Sequence, residues 1–104
     1  MIAMGLALKF KTGCFDEYKK RHDHIWPEMI EAFQRHGIQT AIYRFHDHLF
    51  VYTSVPTRTA WDGLKAEPVI TRWNRYMADV LETDASGAIV FQELPEVYRF
   101  EANA

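Results

Sequence analysis

Three side chains near the start of the chain have the types and spacing for proton transfer on a hydroxyl-bearing ligand. Tyr18, His22 and Trp26 lie four residues apart, so they are neighbours on one face of a helix. An imidazole titrates near neutrality and can either donate or accept a proton. A phenol can hydrogen-bond a hydroxyl group, and an indole offers an apolar ring to a C–H surface. The spacing predicts a site centred on His22.

A purely structural explanation applies to the same residues. A lone histidine on an aromatic helix face is more often a hydrogen-bonded core residue than a catalyst. Trp26 and Trp73 also fit core positions by periodicity alone. The His-x-His pairs at 22–24 and 46–48 are weak metal candidates, because helical residues two apart do not face each other and no carboxylate or cysteine completes a site. We expect no metal, no cofactor and activity that survives EDTA.

Bulk properties narrow the class of protein. The chain has 104 residues and a formal charge of -2, with basic and acidic residues interleaved; this predicts one domain over 1–104 and disfavours nucleic-acid or anionic-membrane partners. Cys14 is the only cysteine, which excludes an internal disulfide and suits a reducing compartment. The apolar run 2–8 is too short to cross a bilayer. These features predict a soluble, cytoplasmic protein.

The elements that must position His22 follow from hydrophobic periodicity. The first strand is predicted over 2–10, followed by a helix from Phe15 that ends near Gly37. Pro27 interrupts this helix and should kink it or start a second one. Two runs, 38–45 and 49–55, are rich in β-branched and aromatic residues and predict a hairpin.

The second half of the chain repeats this alternation. Helical spacing covers 61–81, with Pro68 placed where a helix can restart. A final strand is predicted over 88–100, which Pro95 restricts to an edge or a bulge. The order β-α-β-β-α-β predicts an α+β fold with a four-stranded antiparallel sheet and both helices on one face. Because the other face would be uncovered, we expect a homodimer that packs sheet on sheet.

The segment 17–28 carries the most specific signal in the chain. Its sequence, EYKKRHDHIWPE, closely resembles the E-Y-x-x-R-H-x-x-I-W-P-E signature of the L-rhamnose mutarotase family. Segments 41–43, 72–80 and 93–98 also have counterparts in that family, so the resemblance covers nearly the whole chain. It implies a ferredoxin-like fold forming a dimeric α+β barrel that acts on a pyranose without cofactor. The family's proton-donating histidine falls on His22, and its sugar-contacting tyrosine falls on Tyr18.

The resemblance implies an isomerase that interconverts the α and β anomers of a 6-deoxy-L-hexose, with L-rhamnose first and L-fucose second. Such a reaction needs one proton delivered to the ring oxygen and one removed from the anomeric hydroxyl. The chain departs from the family where Asn74 replaces a second tryptophan, where Thr40 replaces a tyrosine, and in the loop 82–87. These changes affect the pocket wall and therefore the choice of sugar. With His22 as the catalytic residue, the expected sugar-binding residues are Tyr18, Trp26, Thr40, Trp73 and Asn74.

Two other functions are compatible with the predicted fold. Small dimeric ferredoxin-like barrels also host cofactor-free monooxygenases and haem-degrading enzymes, since fold alone does not determine function. A haem-sized pocket or a Soret band on adding haemin would indicate that class. A non-catalytic sugar-binding module, in which His22 only orients the ligand, would bind sugar without accelerating anomer exchange.

Overall fold

A four-stranded antiparallel sheet carries four short helices on one of its faces. The computed structural model describes residues 1–102. The strand order is β2-β3-β1-β4, which is the ferredoxin-like arrangement that the element order predicts. The elements in chain order are β1 Ile2–Lys9, α1 Phe15–Asp23, α2 Pro27–His36, β2 Gln39–Phe45, β3 His48–Val55, α3 Arg58–Lys65, α4 Pro68–Met77 and β4 Gln92–Leu94.

Two prolines divide the predicted long helices into pairs. Pro27 and Pro68 each occupy the start of a new helix, where a missing N–H costs nothing and the fixed φ suits the first turn. The residues before them, Trp26 and Glu67, are extended with ψ of 140° and 130°, as the steric demand of a following proline requires. Gly37 ends α2 with a left-handed φ of 65°. The chain therefore bends at Trp26, in the short connection between α1, which carries His22, and α2.

Strands β2 and β3 form the predicted hairpin. They pair from Gln39 opposite Ser54 to Phe45 opposite His48, and His46 takes a positive φ of 55° in the turn between them. Because side chains alternate across a strand, the face that carries Leu49 points toward the helices. The opposite face carries three exposed aromatic side chains, those of Tyr43, Phe45 and Tyr52.

The last strand is much shorter than the sequence predicts. Only Gln92–Leu94 pairs with β1, at the edge of the sheet. The prediction of an edge position is confirmed, and the predicted extent of 88–100 is wrong. Pro95 follows Leu94 directly and has no N–H to continue the ladder. Beyond it, Val97 and Tyr98 are exposed at 95% and 80% and belong to no strand.

One hydrophobic core joins the helices to the inner face of the sheet. Leu8 and Leu49 supply the sheet side of this core, while Tyr18, Met29 and Met77 come from three different helices. All five are 5% exposed or less, so the helix layer is held mainly by apolar burial. Among residues 1–102, no helix has the length and apolar character needed to cross a membrane.

Candidate active site

A cavity of about 430 Å³ lies between the inner face of the sheet and the helices. This volume falls in the range of about 300–1,000 Å³ that is usual for small-molecule sites. Most of its lining is apolar and includes Leu6, Phe33 and Trp61. A smaller set of polar residues interrupts this lining, as in sites that orient a ligand by a small number of hydrogen bonds. The polar and ionisable residues that line the cavity are Tyr18, His22, Thr40, Thr53, Lys65 and Asn74.

His22 lies near the end of α1 and lines the cavity. Its Nδ1 atom is 3.3 Å from the backbone oxygen of Tyr18. A carbonyl oxygen can only accept a hydrogen bond, so Nδ1 carries the hydrogen in this contact. In the neutral imidazole the other nitrogen, Nε2, then has a free lone pair. The backbone contact thus selects the tautomer that can accept a proton at Nε2.

Burial also favours the neutral form of His22. The main effect is desolvation, which lowers the pKa of His22 below its ordinary value of 6.5, while the hydrogen bond to the Tyr18 carbonyl opposes this shift. A charged group loses hydration in an apolar site, and the neutral form does not. At neutral pH the imidazole is therefore uncharged. Its first available step is to accept a proton.

Tyr18 lies beside His22 on the same helix face. The two ring centroids are 4.5 Å apart, so the predicted grouping of these side chains is present. Tyr18 is 5% exposed, and burial raises the pKa of its phenol above the ordinary value of 10.0. The hydroxyl stays protonated and can donate a hydrogen bond to a ligand oxygen.

Trp73 and Trp26 occupy different positions relative to the cavity. Trp73 lines it and meets the His22 ring edge-on, with ring centroids 5.4 Å apart. Trp26 is not among the lining residues; it packs edge-on against Trp73 at 5.0 Å and stacks on Tyr76 at 5.3 Å. Its position therefore does not support the sugar contact expected from sequence. Trp26 instead supports Trp73, because the bend before Pro27 turns it away from the helix face of His22.

Thr40 and Asn74 also line the cavity, as expected, but from opposite walls. Thr40 lies on β2 in the sheet, and Asn74 lies on α4 beside Trp73. Five of the six predicted residues, all except Trp26, therefore surround one cavity. They come from three separate elements, which brings the polar groups of helix and sheet to the same ligand-sized space.

This geometry can be compared with known proteins. A sequence model of the family described as L-rhamnose mutarotase matches residues 3–100. The chain belongs to the L-rhamnose mutarotase family. Among curated relatives, the L-rhamnose mutarotase of Escherichia coli O1:K1 is 32% identical over 101 residues, covering 94% of this chain and 97% of the relative. That of Listeria monocytogenes serovar 1/2a is 35% identical over 91 residues, covering 83% of this chain and 86% of the relative.

A solved structure supports the same fold. The crystal structure of an L-rhamnose mutarotase from Formosa agariphila superposes with a TM-score of 0.81 at 24% sequence identity, covering 97% of this chain and all of the other. The ferredoxin-like α+β fold inferred from the resemblance is confirmed. The matches name mutarotases and give no support to the monooxygenase or haem-degrading alternative.

Arg21, a member of the family-like motif, joins α1 to the end of α4. Its guanidinium donates to the Tyr76 carbonyl at 2.7 Å and to the Asp79 carboxylate at 2.5 Å, and it also donates to Glu17 at 2.8 Å. The same group lies over the Tyr76 ring, 4.1 Å from its centroid. Because His22 follows Arg21 directly, this contact holds the helix of His22 against the helix of Trp73 and Asn74. Sequence reasoning assigned Arg21 no role of its own.

Thr53 and Lys65 also line the cavity, and neither is predicted as a site residue from the sequence. A signal for Thr53 was present, because its position two residues after Val51 places it on the inner face of β3. A polar residue on a buried strand face needs a partner. Nothing in the local pattern distinguishes Lys65 from a surface lysine.

Two of the histidines outside the cavity form local contacts. His24 Nδ1 bonds the Lys20 carbonyl at 2.9 Å, and His48 Nδ1 lies 2.8 Å from an Asp47 oxygen. Within residues 1–102, no three His, Cys, Asp or Glu side chains are grouped closely enough to hold a metal ion.

Proposed function

We propose that this protein is a mutarotase that interconverts the α and β anomers of L-rhamnose, with His22 as the proton-transfer residue. The observation that carries the proposal is the neutral His22 imidazole, whose Nε2 lone pair is free in a ligand-sized cavity next to the Tyr18 phenol. The family to which the chain belongs supplies the reaction class, an isomerisation of a sugar. His22 and Tyr18 supply groups that such a reaction requires.

The proposed reaction begins with His22 as a base. Nε2 accepts the proton of the anomeric hydroxyl, the oxygen of that hydroxyl forms the aldehyde, and the ring C–O bond breaks with its electron pair on the ring oxygen. The imidazolium then donates its proton to this ring oxygen, which becomes a hydroxyl group. Both oxygens were attached to the anomeric carbon, so one nitrogen can serve both. Rotation of the aldehyde and the reverse steps give the other anomer, and His22 ends neutral.

Sugar binding in this proposal uses both walls of the cavity. Tyr18 donates a hydrogen bond to a sugar oxygen, and Trp73 presents its ring to a C–H face of the pyranose. Asn74 and Thr40 meet hydroxyl groups from the helix and the sheet. The methyl group of a 6-deoxy sugar fits the apolar part of the lining, which includes Phe33 and Trp61.

Anomer exchange can be measured directly by saturation-difference NMR on equilibrated sugar. Saturating one anomeric proton signal of L-rhamnose should reduce the signal of the other anomer when the protein is present. L-Fucose, which differs in hydroxyl stereochemistry, is the comparison sugar and should exchange more slowly. Exchange of both sugars at the rate of buffer alone would contradict the proposed activity. Binding without faster exchange would instead indicate the non-catalytic sugar-binding module.

We further propose that the protein is a homodimer formed through the outer face of its sheet. Tyr43, Phe45 and Tyr52 are 66%, 63% and 48% exposed on this face, and adjacent aromatic groups in water are a common sign of a protein interface. A sheet-on-sheet dimer would cover them and complete an α+β barrel. The free thiol of Cys14 suits a reducing compartment, so we propose a cytoplasmic location.

A further inference from the structure

Two threonines lie opposite each other on neighbouring strands, on the sheet face that forms the floor of the cavity. Thr53 on β3 is directly opposite Thr40 on β2, and both line the cavity. Their Oγ1 atoms are 3.1 Å apart, and Thr53 is only 5% exposed. Thr40 is more exposed than Thr53, and the hydroxyl pair stands in an otherwise apolar floor, since Ile42 and Val51 flank it on the same strands.

The two hydroxyl groups both donate their protons to hydrogen bonds within the sheet. Thr40 Oγ1 donates its hydrogen to the Tyr52 carbonyl at 3.0 Å. Since each hydroxyl has one proton, Thr40 can only accept in its contact with Thr53, so Thr53 is the donor there. Both protons are then committed to protein oxygens. Only lone pairs of the two threonine oxygens remain available to a ligand. The pair can therefore accept a hydrogen bond from a ligand.

We propose that Thr53, together with Thr40, accepts a hydrogen bond from one ring hydroxyl of the bound sugar and thereby determines which sugar the site prefers. This inference rests on the proposed function, because it names a hydroxyl acceptor for the same substrate. It also gives a physical role to Thr40, whose hydroxyl contacts that of Thr53. Two hydroxyl groups on the sheet therefore form the binding feature at this wall.

The apolar surroundings make this contact selective. A sugar whose hydroxyl points at Ile42 or Val51 would lose its bond to water without gaining a partner, and such stranded groups are costly. A sugar that directs a hydroxyl at the pair replaces its bond to water with a bond to a threonine oxygen. Sites of this kind discriminate mainly by the penalty on misplaced polar groups.

Replacing Thr53 with valine removes the hydroxyl and keeps a similar shape. Thr53→Val should raise the KM for L-rhamnose by about 3- to 10-fold, the usual range for losing one uncharged hydrogen bond, while kcat changes less than KM. Initial rates follow from the optical rotation of a freshly dissolved single anomer. Thr53→Ser keeps the hydroxyl and should restore most of the lost affinity. Ser54→Ala is the matched control, because Ser54 is a buried hydroxyl on the other face of β3.

Modified sugars test the same contact from the side of the ligand, in the parent protein and in Thr53→Val. Among monodeoxy analogues of L-rhamnose, each lacking one ring hydroxyl, one should have a raised KM that Thr53→Val raises no further. Fluorine at the same position accepts but cannot donate, so the fluoro analogue should behave like the deoxy sugar. The other deoxy analogues should retain the full effect of Thr53→Val.

The outcomes separate this inference from the proposed function. If the parent protein exchanges anomers and Thr53→Val has the same KM, Thr53 is not a sugar-binding residue. An equal effect of Thr53→Val on all deoxy analogues would indicate loss of packing, and a fluoro analogue that binds like the parent sugar would show that the pair donates. A parent protein that neither binds nor exchanges any of these sugars would overturn the proposed function and this inference together.

Discussion

His22 has one ring nitrogen engaged by its own helix, and its ring lines the cavity. The Tyr18 carbonyl accepts a hydrogen bond from Nδ1, and burial lowers the pKa of the ring. Both effects arise from the position of one residue on the inner side of α1. His24, two residues further along, makes the same kind of backbone contact outside the cavity.

Replacing His22 tests its role in proton transfer. His22→Ala should lower the anomer exchange rate on the order of 10²-fold or more, because positioned acid–base catalysis contributes that much. Tyr18→Phe should lower the exchange rate less, since it removes one hydrogen bond to the bound sugar. His24→Ala, directly after α1, is the control and should match the parent. A folded His22→Ala protein with the parent's exchange rate would leave His22 a structural residue.

The pH dependence follows from the direction of the His22 pKa. Because burial lowers this pKa below 6.5, the neutral, proton-accepting form persists to more acidic pH than for a free histidine. The kcat/KM for L-rhamnose should therefore be level through neutrality and fall only below 6.5. A pH profile measured by polarimetry checks this, and a fall that begins above neutrality would contradict it.

The same shift affects stability with a defined sign. Below 6.5 the unfolded chain binds a proton at His22 more readily than the folded chain does. The contribution of this residue to the free energy of unfolding is therefore constant above pH 6.5. It decreases as the pH falls below 6.5. Acid weakens both the fold and the activity through one group.

At the scale of elements, α1 and α4 must be held together for the site to exist. Tyr18 and His22 lie on α1, and Trp73 and Asn74 lie on α4. Edge-on aromatic contacts between His22 and Trp73 provide part of this packing. Arg21 adds directional hydrogen bonds between the helices at a largely buried position, with 11% of its side chain exposed.

Removing the Arg21 contact should weaken the pairing of these helices. Arg21→Met should lower the free energy of unfolding by about 1–3 kcal/mol, the usual cost of losing hydrogen bonds from a charged group. Urea unfolding followed by tryptophan fluorescence measures this change. Lys19→Met is the matched control, because it breaks an exposed ion pair with Asp23 on the same helix, and such pairs contribute little. Equal stability of Arg21→Met and the parent would show that packing alone holds α1.

At the scale of the whole molecule, helices pack on one face of the sheet and leave the other face exposed. The inner face is buried by four helices and encloses the cavity. The outer face leaves Tyr43, Phe45 and Tyr52 exposed. The last described segment adds exposed apolar side chains at Val97 and Phe100.

The oligomeric state checks whether the outer face is an interface. Sedimentation at micromolar concentration should give a mass of twice 12.2 kDa. Tyr52→Asp places a charge in the middle of the face and should produce a folded monomer, because an unpaired charge is costly to bury. Ile30→Asp, at an exposed apolar position on α2, should leave the dimer intact. A monomeric parent protein would rule out this interface.

The sequence by itself was sufficient for features that depend on neighbours along the chain. Helical spacing placed Tyr18 beside His22, and Pro27 and Pro68 marked where new helices begin, because ring sterics act within one turn. The motif over 17–28 indicated the family, and the family model confirms that membership. The four-stranded sheet followed from the order of the elements.

Only the tertiary structure decided how distant residues meet. Trp26 lies behind Trp73 because the chain bends before Pro27, and Thr53 meets Thr40 because the hairpin register sets them opposite. Arg21 reaches Asp79, 58 positions away, which no local pattern contains. Periodicity describes one element at a time, whereas a site between elements depends on their packing and register.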